Sequence, residues 1–219
     1  MESYYLKKQT LSVMVFETAD KAFKAYYDFI KDLGDDRGDN LCLFNVFFEI
    51  EFPTQNIITA RSWSQHYAER EWNWYLTGSR SVSSIKRFAP MWDKMHNGND
   101  LVWSNYGYWW KQGDQLVRVI EMLKDDETTR RAVIVHYSAE TSPEFTHDTP
   151  CNLVLNFFVV GTRLNLTIMA RSIDIWYGFC NDQYVFSKLL QLVADRTQKQ
   201  VGTMSYFITN FHLYKNQIK

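Results

Sequence analysis

Two apolar runs, 152–160 and 163–171, are separated only by Gly161-Thr162, and that spacing constrains the fold more than any other feature of the chain. A two-residue Gly-containing break between strand-like segments predicts a hairpin, and a hairpin commits the chain to a sheet. The segment 41–52, rich in Phe, Val and Ile, predicts another strand, as do 131–137 and 203–214. Helical spacing interrupts these runs. Residues 19–33 place Ala22, Phe23, Tyr26, Phe29, Ile30 and Leu33 on one face, and 63–77 predicts a second helix ending at Gly78. A short helix is expected over 115–124, before Asp125-Asp126-Glu127. A longer one is expected over 183–198, with Val185, Leu189, Leu192 and Val193 at helical spacing. Helices and strands interleave without strict alternation. The expected class is α/β in the broad sense, an α+β layered domain built on a mixed sheet.

Nothing divides the chain. Its 219 residues are 46% hydrophobic and hold only four prolines and nine glycines, with no Ser/Gly-rich linker and no repeat. Residues 1–219 are therefore expected to form one domain with a full core. A net charge of −1 argues against a groove that holds nucleic acid by bulk basicity, so any phosphate site must be built from a few arginines. The three cysteines, Cys42, Cys151 and Cys180, form no CxxC pair and no His/Cys spacing suited to zinc, and no metal site is expected. The opening Met1-Glu2-Ser3-Tyr4-Tyr5-Leu6-Lys7-Lys8 lacks the order of a signal peptide. No run approaches the ~20 apolar residues of a membrane span. The expected setting is a reducing cytoplasm, away from membranes.

The chemistry concentrates in Thr149-Pro150-Cys151, Arg171-Ser172-Ile173-Asp174 and Gly178-Phe179-Cys180-Asn181-Asp182. A lone cysteine is more often a small buried hydrophobe than a nucleophile, and Cys180 reads that way. Cys151 differs because it follows a proline at a loop-to-strand junction, with Arg171 at the end of the paired strand. A guanidinium there is expected to favour the thiolate. Arg130-Arg131 offers two forked donors for phosphate oxygens, although such a pair by itself is more often a solvated strand start. His212 and Tyr214 fall on one face of a strand, where their polar tips could hold a sugar hydroxyl. Glu71 sits beside Trp72-Asn73-Trp74-Tyr75, where burial would raise its pKa toward values useful for acid–base work. The set suits chemistry on a pyrimidine nucleotide.

Read in order, these residues resemble the thymidylate synthase family and, within it, the deoxycytidylate hydroxymethylases of bacteriophages. The resemblance is clearest from Arg70 to the C-terminus. Arg70-Glu71-Trp72-Asn73-Trp74-Tyr75 resembles the helix whose glutamate organises water and protons at the base. Met91-Trp92-Asp93 resembles the stretch whose tryptophan lines the folate site, and Asn105-Tyr106-Gly107 the tyrosine that approaches C5. Pro150-Cys151 matches the nucleophile, and Arg171-Ser172 the pair on the phosphate. Thr128-Thr129-Arg130-Arg131 resembles the segment that crosses a dimer to the partner's nucleotide phosphate, and Asp36-Arg37-Gly38 the N-terminal phosphate loop. Asp174 matches the carboxylate on the pterin ring, and the resemblance sets Arg61 beside it and Trp92 as folate contacts. His212 and Tyr214 match the pair on the 3′-hydroxyl. The implied architecture is a three-layer domain that dimerises through its sheet, with arginines shared between sites.

The departures point to the substrate. Where thymidylate synthases carry asparagine four residues after glycine, this chain has Asp182. Asparagine suits the O4 and N3–H edge of uracil, whereas a carboxyl group can accept from the cytosine amine and share a proton with N3. Asn152 replaces the histidine that usually follows the nucleophile, and Met95 a second tryptophan, which leaves a looser folate pocket. The sequence ends at Lys219, whereas the family continues into a tail that folds over the folate. A site without that tail is expected to admit water. The implied activity is dCMP hydroxymethylation. A one-carbon unit passes from 5,10-methylenetetrahydrofolate, the co-substrate, to C5 of dCMP, and water adds to give 5-hydroxymethyl-dCMP and tetrahydrofolate. A C5-methylase acting on dCMP or dUMP, and a catalytically silent nucleotide-binding homologue, stay open as alternatives. By its family neighbours the chain would be viral and work in host cytoplasm.

Overall fold

The computed structural model describes residues 13–95, 99–140, 142 and 148–219, so the opening segment 1–8 lies outside the described residues. Strand β1 (Met14–Phe16) leads into helix α1 (Ala19–Leu33), capped by the Thr18 hydroxyl, which accepts from the Lys21 N–H at 3.3 Å. Ala22, Phe23, Tyr26 and Ile30 are buried, as their spacing predicts. Phe29 and Leu33, expected on the same face, are exposed. Phe29 lies roughly 100° round the helix from Ile30, and the buried stripe ends at Ile30, leaving Leu33 71% exposed.

Strands β2 (Asp35–Asp36) and β3 (Asn40–Ile50) follow, then α2 (Gln65–Thr77), which starts at a Ser64 cap and stops at Gly78 with φ 66°. Helix α3 (Tyr106–Lys111) has six residues, too few to show a period in the sequence. It packs directly on α2 because Gly107 has no side chain: a Cβ there would stand 1.6 Å from the Tyr75 carbonyl oxygen. Then come α4 (Gln115–Asp125), β4 (Val133–Val135), β5 (Asn152–Val160), β6 (Arg163–Ala170) and β7 (Ile173–Asp174). Helix α5 (Cys180–Thr197) and β8 (Gln200–Tyr214) close the order. The predicted strand 131–137 shrinks to Val133–Val135, although His136 still donates its N–H to the Leu153 carbonyl at 2.8 Å.

Among the described residues these strands form one sheet in the order β1-β3-β8-β6-β5-β4, with β2 on β3 and β7 on β8. It is mixed: β6 and β8 run parallel, while β3–β8, β5–β6 and β4–β5 are antiparallel. The predicted hairpin turns at Gly161, whose φ of 61° suits glycine. Helices α1 and α5 pack on the sheet; α2 and α4 pack on α5, and α3 bridges α2 and α4. That is the expected three-layer α+β arrangement. One feature of β8 was not legible in advance. Its buried residues are even-numbered at Met204, Tyr206 and Ile208 but odd-numbered at Phe211 and Leu213, and Asn45 on the paired β3 has φ 54°. The change of parity leaves His212 and Tyr214 facing a cavity instead of the core.

Candidate active site

That cavity holds about 610 Å³ and is lined by residues from every layer. Glu71 comes from α2, Tyr106 from α3, and Trp92 from a single 3-10 turn, Pro90–Lys94. Cys151 lies just before β5, Arg171 and Ser172 just after β6, and Asp174 on β7. Asp182 comes from the first turn of α5, and His212 and Tyr214 from the end of β8.

The Cys151 corner is built by the hairpin. Its strands bring the ends together, so the Arg171 N–H donates to the Cys151 carbonyl at 2.9 Å. The Arg171 side chain then grips the preceding loop, Nε donating to the Pro150 carbonyl at 3.0 Å and Nη2 to the Thr149 carbonyl at 2.8 Å. This leaves Nη2 at 3.7 Å from the Cys151 Sγ. Arg171 favours the thiolate, as expected, but it works against burial. Burial raises the Cys151 thiol to about 11; Arg171 pulls it down, but Asp182, Asp148 and Asp174 push it up again. A second clasp holds the same loop: the buried Asp148 carboxyl accepts from the Trp103 and Ser104 N–H groups and from the Ser104 hydroxyl.

Two carboxyl groups on the cavity wall have raised pKa values. Glu71 is buried, and desolvation lifts it to about 8 against the Trp92 Nε1–H, which donates to its Oε1 at 2.8 Å; the charge on Asp182 lifts it further. The Tyr67 hydroxyl is turned to the same oxygen at 3.4 Å. Asp182 is lifted by burial to about 7, opposed by the Asn152 Nδ2, which donates to its Oδ2 at 2.8 Å. The same Nδ2 donates to the Tyr106 hydroxyl at 2.8 Å. Asn152 does not line the cavity but ties together two residues that do. Its Oδ1 is buried without a partner among the described residues, a cost of roughly 1–3 kcal/mol that accompanies keeping both donors on site groups.

Behind them sits His136, fully buried. Its Nδ1 lies 2.8 Å from the Asn152 carbonyl and its Nε2 accepts from the Trp110 Nε1–H at 3.0 Å. These partners require the neutral ring with the proton on Nδ1. Desolvation agrees, lowering the imidazole to about 4. The ring stacks on Tyr106 with centroids 4.9 Å apart.

At the far end, His212 and Tyr214 meet edge to face at 5.2 Å, and the Ser172 hydroxyl stands 3.3 Å from the His212 Nδ1. The Asp174 carboxyl lines the cavity while accepting from the Trp176 and Tyr177 N–H groups at 2.9 and 3.1 Å. Besides Asn152, expected to bind substrate, four expected site residues are absent from the cavity wall. Arg61 does not line the cavity; its Nε donates to the Cys180 Sγ at 3.3 Å and its guanidinium covers the Trp176 ring at 5.2 Å. Arg37 is exposed and lies over the Phe44 ring at 4.9 Å. Arg130 and Arg131 are exposed at the approach to β4, also outside the cavity.

The family model described as thymidylate synthase matches residues 31–219. The chain belongs to the thymidylate synthase family. The family's activity is folate-dependent one-carbon transfer to a nucleotide, with methylenetetrahydrofolate as the donor. In the thymidylate synthase fold seen here, the site draws on residues that the sequence alone did not single out. His136 shares the inward parity of Ala132 and Ile134, a signal that was present. Tyr67 lies four residues before Glu71, and that spacing puts both on one helix face. Asp148 carried no local signal, because its partners are more than forty positions away. Among the described residues, no helix is long and apolar enough to cross a membrane.

Proposed function

We propose that this member of the family hydroxymethylates dCMP, taking the one-carbon unit from 5,10-methylenetetrahydrofolate and releasing 5-hydroxymethyl-dCMP and tetrahydrofolate. The observation that carries the reading is Asp182, a buried carboxyl on the cavity wall whose pKa is raised to about 7. Cytosine presents an amine at C4 and an unprotonated N3. A carboxyl group that titrates near neutrality can accept from the amine and pass its proton to N3, whereas an amide can at most donate a hydrogen bond there and cannot protonate it. Protonation at N3 also drains electrons from C6, where Cys151 adds.

In this reading the Cys151 sulfur bonds to C6 and makes C5 nucleophilic toward the one-carbon unit. Arg171 and Ser172 hold the phosphate, and His212 with Tyr214 holds the 3′-hydroxyl. Tyr106, fixed by Asn152, faces C5. Glu71 manages protons at the base, with Trp92 and Asp174 on the folate side and Arg61 steadying the Trp176–Tyr177 segment behind it. Arg130, Arg131 and Arg37 reach phosphate only in an assembly. We infer a homodimer through the sheet, supported by an apolar row that crosses it in register: Phe47, Phe207, Met169, Val154 and Val135, of which all but Val154 are at least 38% exposed. Monomers rarely leave so continuous an apolar strip uncovered.

The test is product analysis. dCMP and methylenetetrahydrofolate should yield 5-hydroxymethyl-dCMP by mass with no dihydrofolate absorbance, and 5-fluoro-dCMP should trap a covalent adduct at Cys151. Asp182→Asn should shift selectivity from dCMP toward dUMP by roughly ten- to a hundredfold, since each mispaired buried group costs about 1–3 kcal/mol. Stoichiometric dihydrofolate, or unchanged selectivity in D182N, would refute the reading.

A further inference from the structure

The hydroxyl groups on the cavity wall are unequally committed. The Tyr106 hydroxyl is held by the Asn152 Nδ2 at 2.8 Å, and the Ser104 hydroxyl donates to Asp148. Ser172 and Tyr214 stand with His212 at the far end. The Tyr67 hydroxyl is held loosely and beside a carboxyl group. It lies 3.4 Å from the Glu71 Oε1, well beyond the 2.7–2.8 Å typical of an O–H···O bond. That carboxyl oxygen already takes the Trp92 Nε1–H at 2.8 Å. Tyr67 lines the cavity together with Glu71 and is half-buried where Glu71 is buried, so its hydroxyl and the carboxyl reach the same open space. Burial and the neighbouring Glu71 raise its pKa and outweigh the Trp92 N–H beside it, so it remains a phenol and keeps its proton to donate.

We propose that the Tyr67 hydroxyl, together with Glu71, orients the water that attacks the exocyclic methylene, and that Tyr67 thereby decides how the common intermediate is discharged. The inference rests on the hydroxymethylation reading and deepens it. In that intermediate C5 carries a methylene group through a double bond and C6 carries the Cys151 sulfur. Tyr67 donates to the water oxygen and Glu71, as carboxylate, accepts one of its protons. A C–O bond forms at the methylene carbon as that O–H bond breaks, and the methylene π electrons move into the ring. They return to make C5=C6 as the C6–S bond breaks, and the departing Cys151 sulfur is reprotonated from solvent. No oxidant or reductant enters, and tetrahydrofolate has left beforehand. A Phe at this position would keep the ring packing and remove only the donor.

The experiment partitions the intermediate. Wild-type protein and Tyr67→Phe are incubated with [5-³H]dCMP, methylenetetrahydrofolate and excess 2-mercaptoethanol. Tritium release counts arrivals at the methylene intermediate, and product analysis compares the hydroxymethyl product with the thioether formed when the thiol attacks instead. Tyr67→Phe should keep tritium release within about twofold while its hydroxymethyl-to-thioether ratio falls about a hundredfold, the lower end of what a positioned acid–base group contributes. An unchanged ratio overturns the inference, and so does loss of tritium release in step with product, which would put Tyr67 before the intermediate. If Tyr67→Phe does not fold, Tyr67→Gln, which restores a donor, is read in the same assay; a ratio nearer wild type than that of Tyr67→Leu supports the role, and equal ratios overturn it. A wild-type enzyme that makes 5-methyl-dCMP and dihydrofolate instead fails the functional reading itself, a result distinct from an unchanged ratio in an enzyme that does make the hydroxymethyl product.

Discussion

Glu71→Gln tests the electrostatics of the site most directly, because it removes one ionisation and little else. Glu71 titrates at about 8 in the folded chain, against an ordinary value of 4.5. A carboxyl raised in this way stabilises the fold fully below its unfolded pKa, and that stability is lost as pH rises toward the folded value. A tenfold change in proton affinity is worth about 1.4 kcal/mol, so between pH 5 and pH 8 the wild type should lose roughly 3–4 kcal/mol through this group alone. The group is buried, so solvent screening does not reduce the figure much. Glutamine keeps the shape and its Oε1 can still accept from the Trp92 Nε1–H. E71Q should therefore match the wild type near pH 5 and exceed it at pH 8 by roughly 3–4 kcal/mol, or about 10 °C in Tm for a chain of this size. Urea unfolding at several pH values between 5 and 8 measures it, with turnover assayed in parallel; turnover should collapse while stability rises. Wild-type and E71Q stabilities that run parallel in pH would refute the reasoning, since they would mean that Glu71 is ordinarily solvated.

Two further outcomes follow from the same geometry. His136 titrates at about 4, below its ordinary 6.5, so the unfolded chain takes up its proton first and the fold loses stability as pH falls from about 6.5 to 4. His136→Phe should abolish that acid-side slope in pH-dependent unfolding, and at neutral pH cost about 2–4 kcal/mol through the two groups left unpaired at Trp110 and Asn152; a slope that survives the substitution would rule out His136 as its source. Gly107→Ala forces a Cβ into the Tyr75 carbonyl and should cost more than about 4 kcal/mol by thermal melts, with Tyr106 displaced from the site; a near-neutral change would show that α3 can slide on α2.

How far the sequence reached can be followed residue by residue. Helix α1, the β5–β6 hairpin and β8 were legible because their signals are local: a 3.6-residue period, a two-residue turn, a run of β-favouring side chains. The pairing of Arg171 with the Cys151 corner was legible for the same reason, since a tight hairpin brings its two ends together whatever surrounds it. Asp182 was reached only through the family resemblance, because nothing in its neighbours shows which base edge it would face.

What the chain by itself determined, then, is which segments pair and which polar groups travel to the same end of the sheet. The tertiary structure decided their chemistry. Arg171 pulls the Cys151 thiol down as expected, while burial and three neighbouring carboxyl groups push it up; burial likewise makes Glu71 and Asp182 near-neutral acids. His136, Asp148 and the parity change in β8 likewise depend on partners brought in from distant segments. Desolvation is a property of everything packed around a group, and only the folded chain assembles those surroundings.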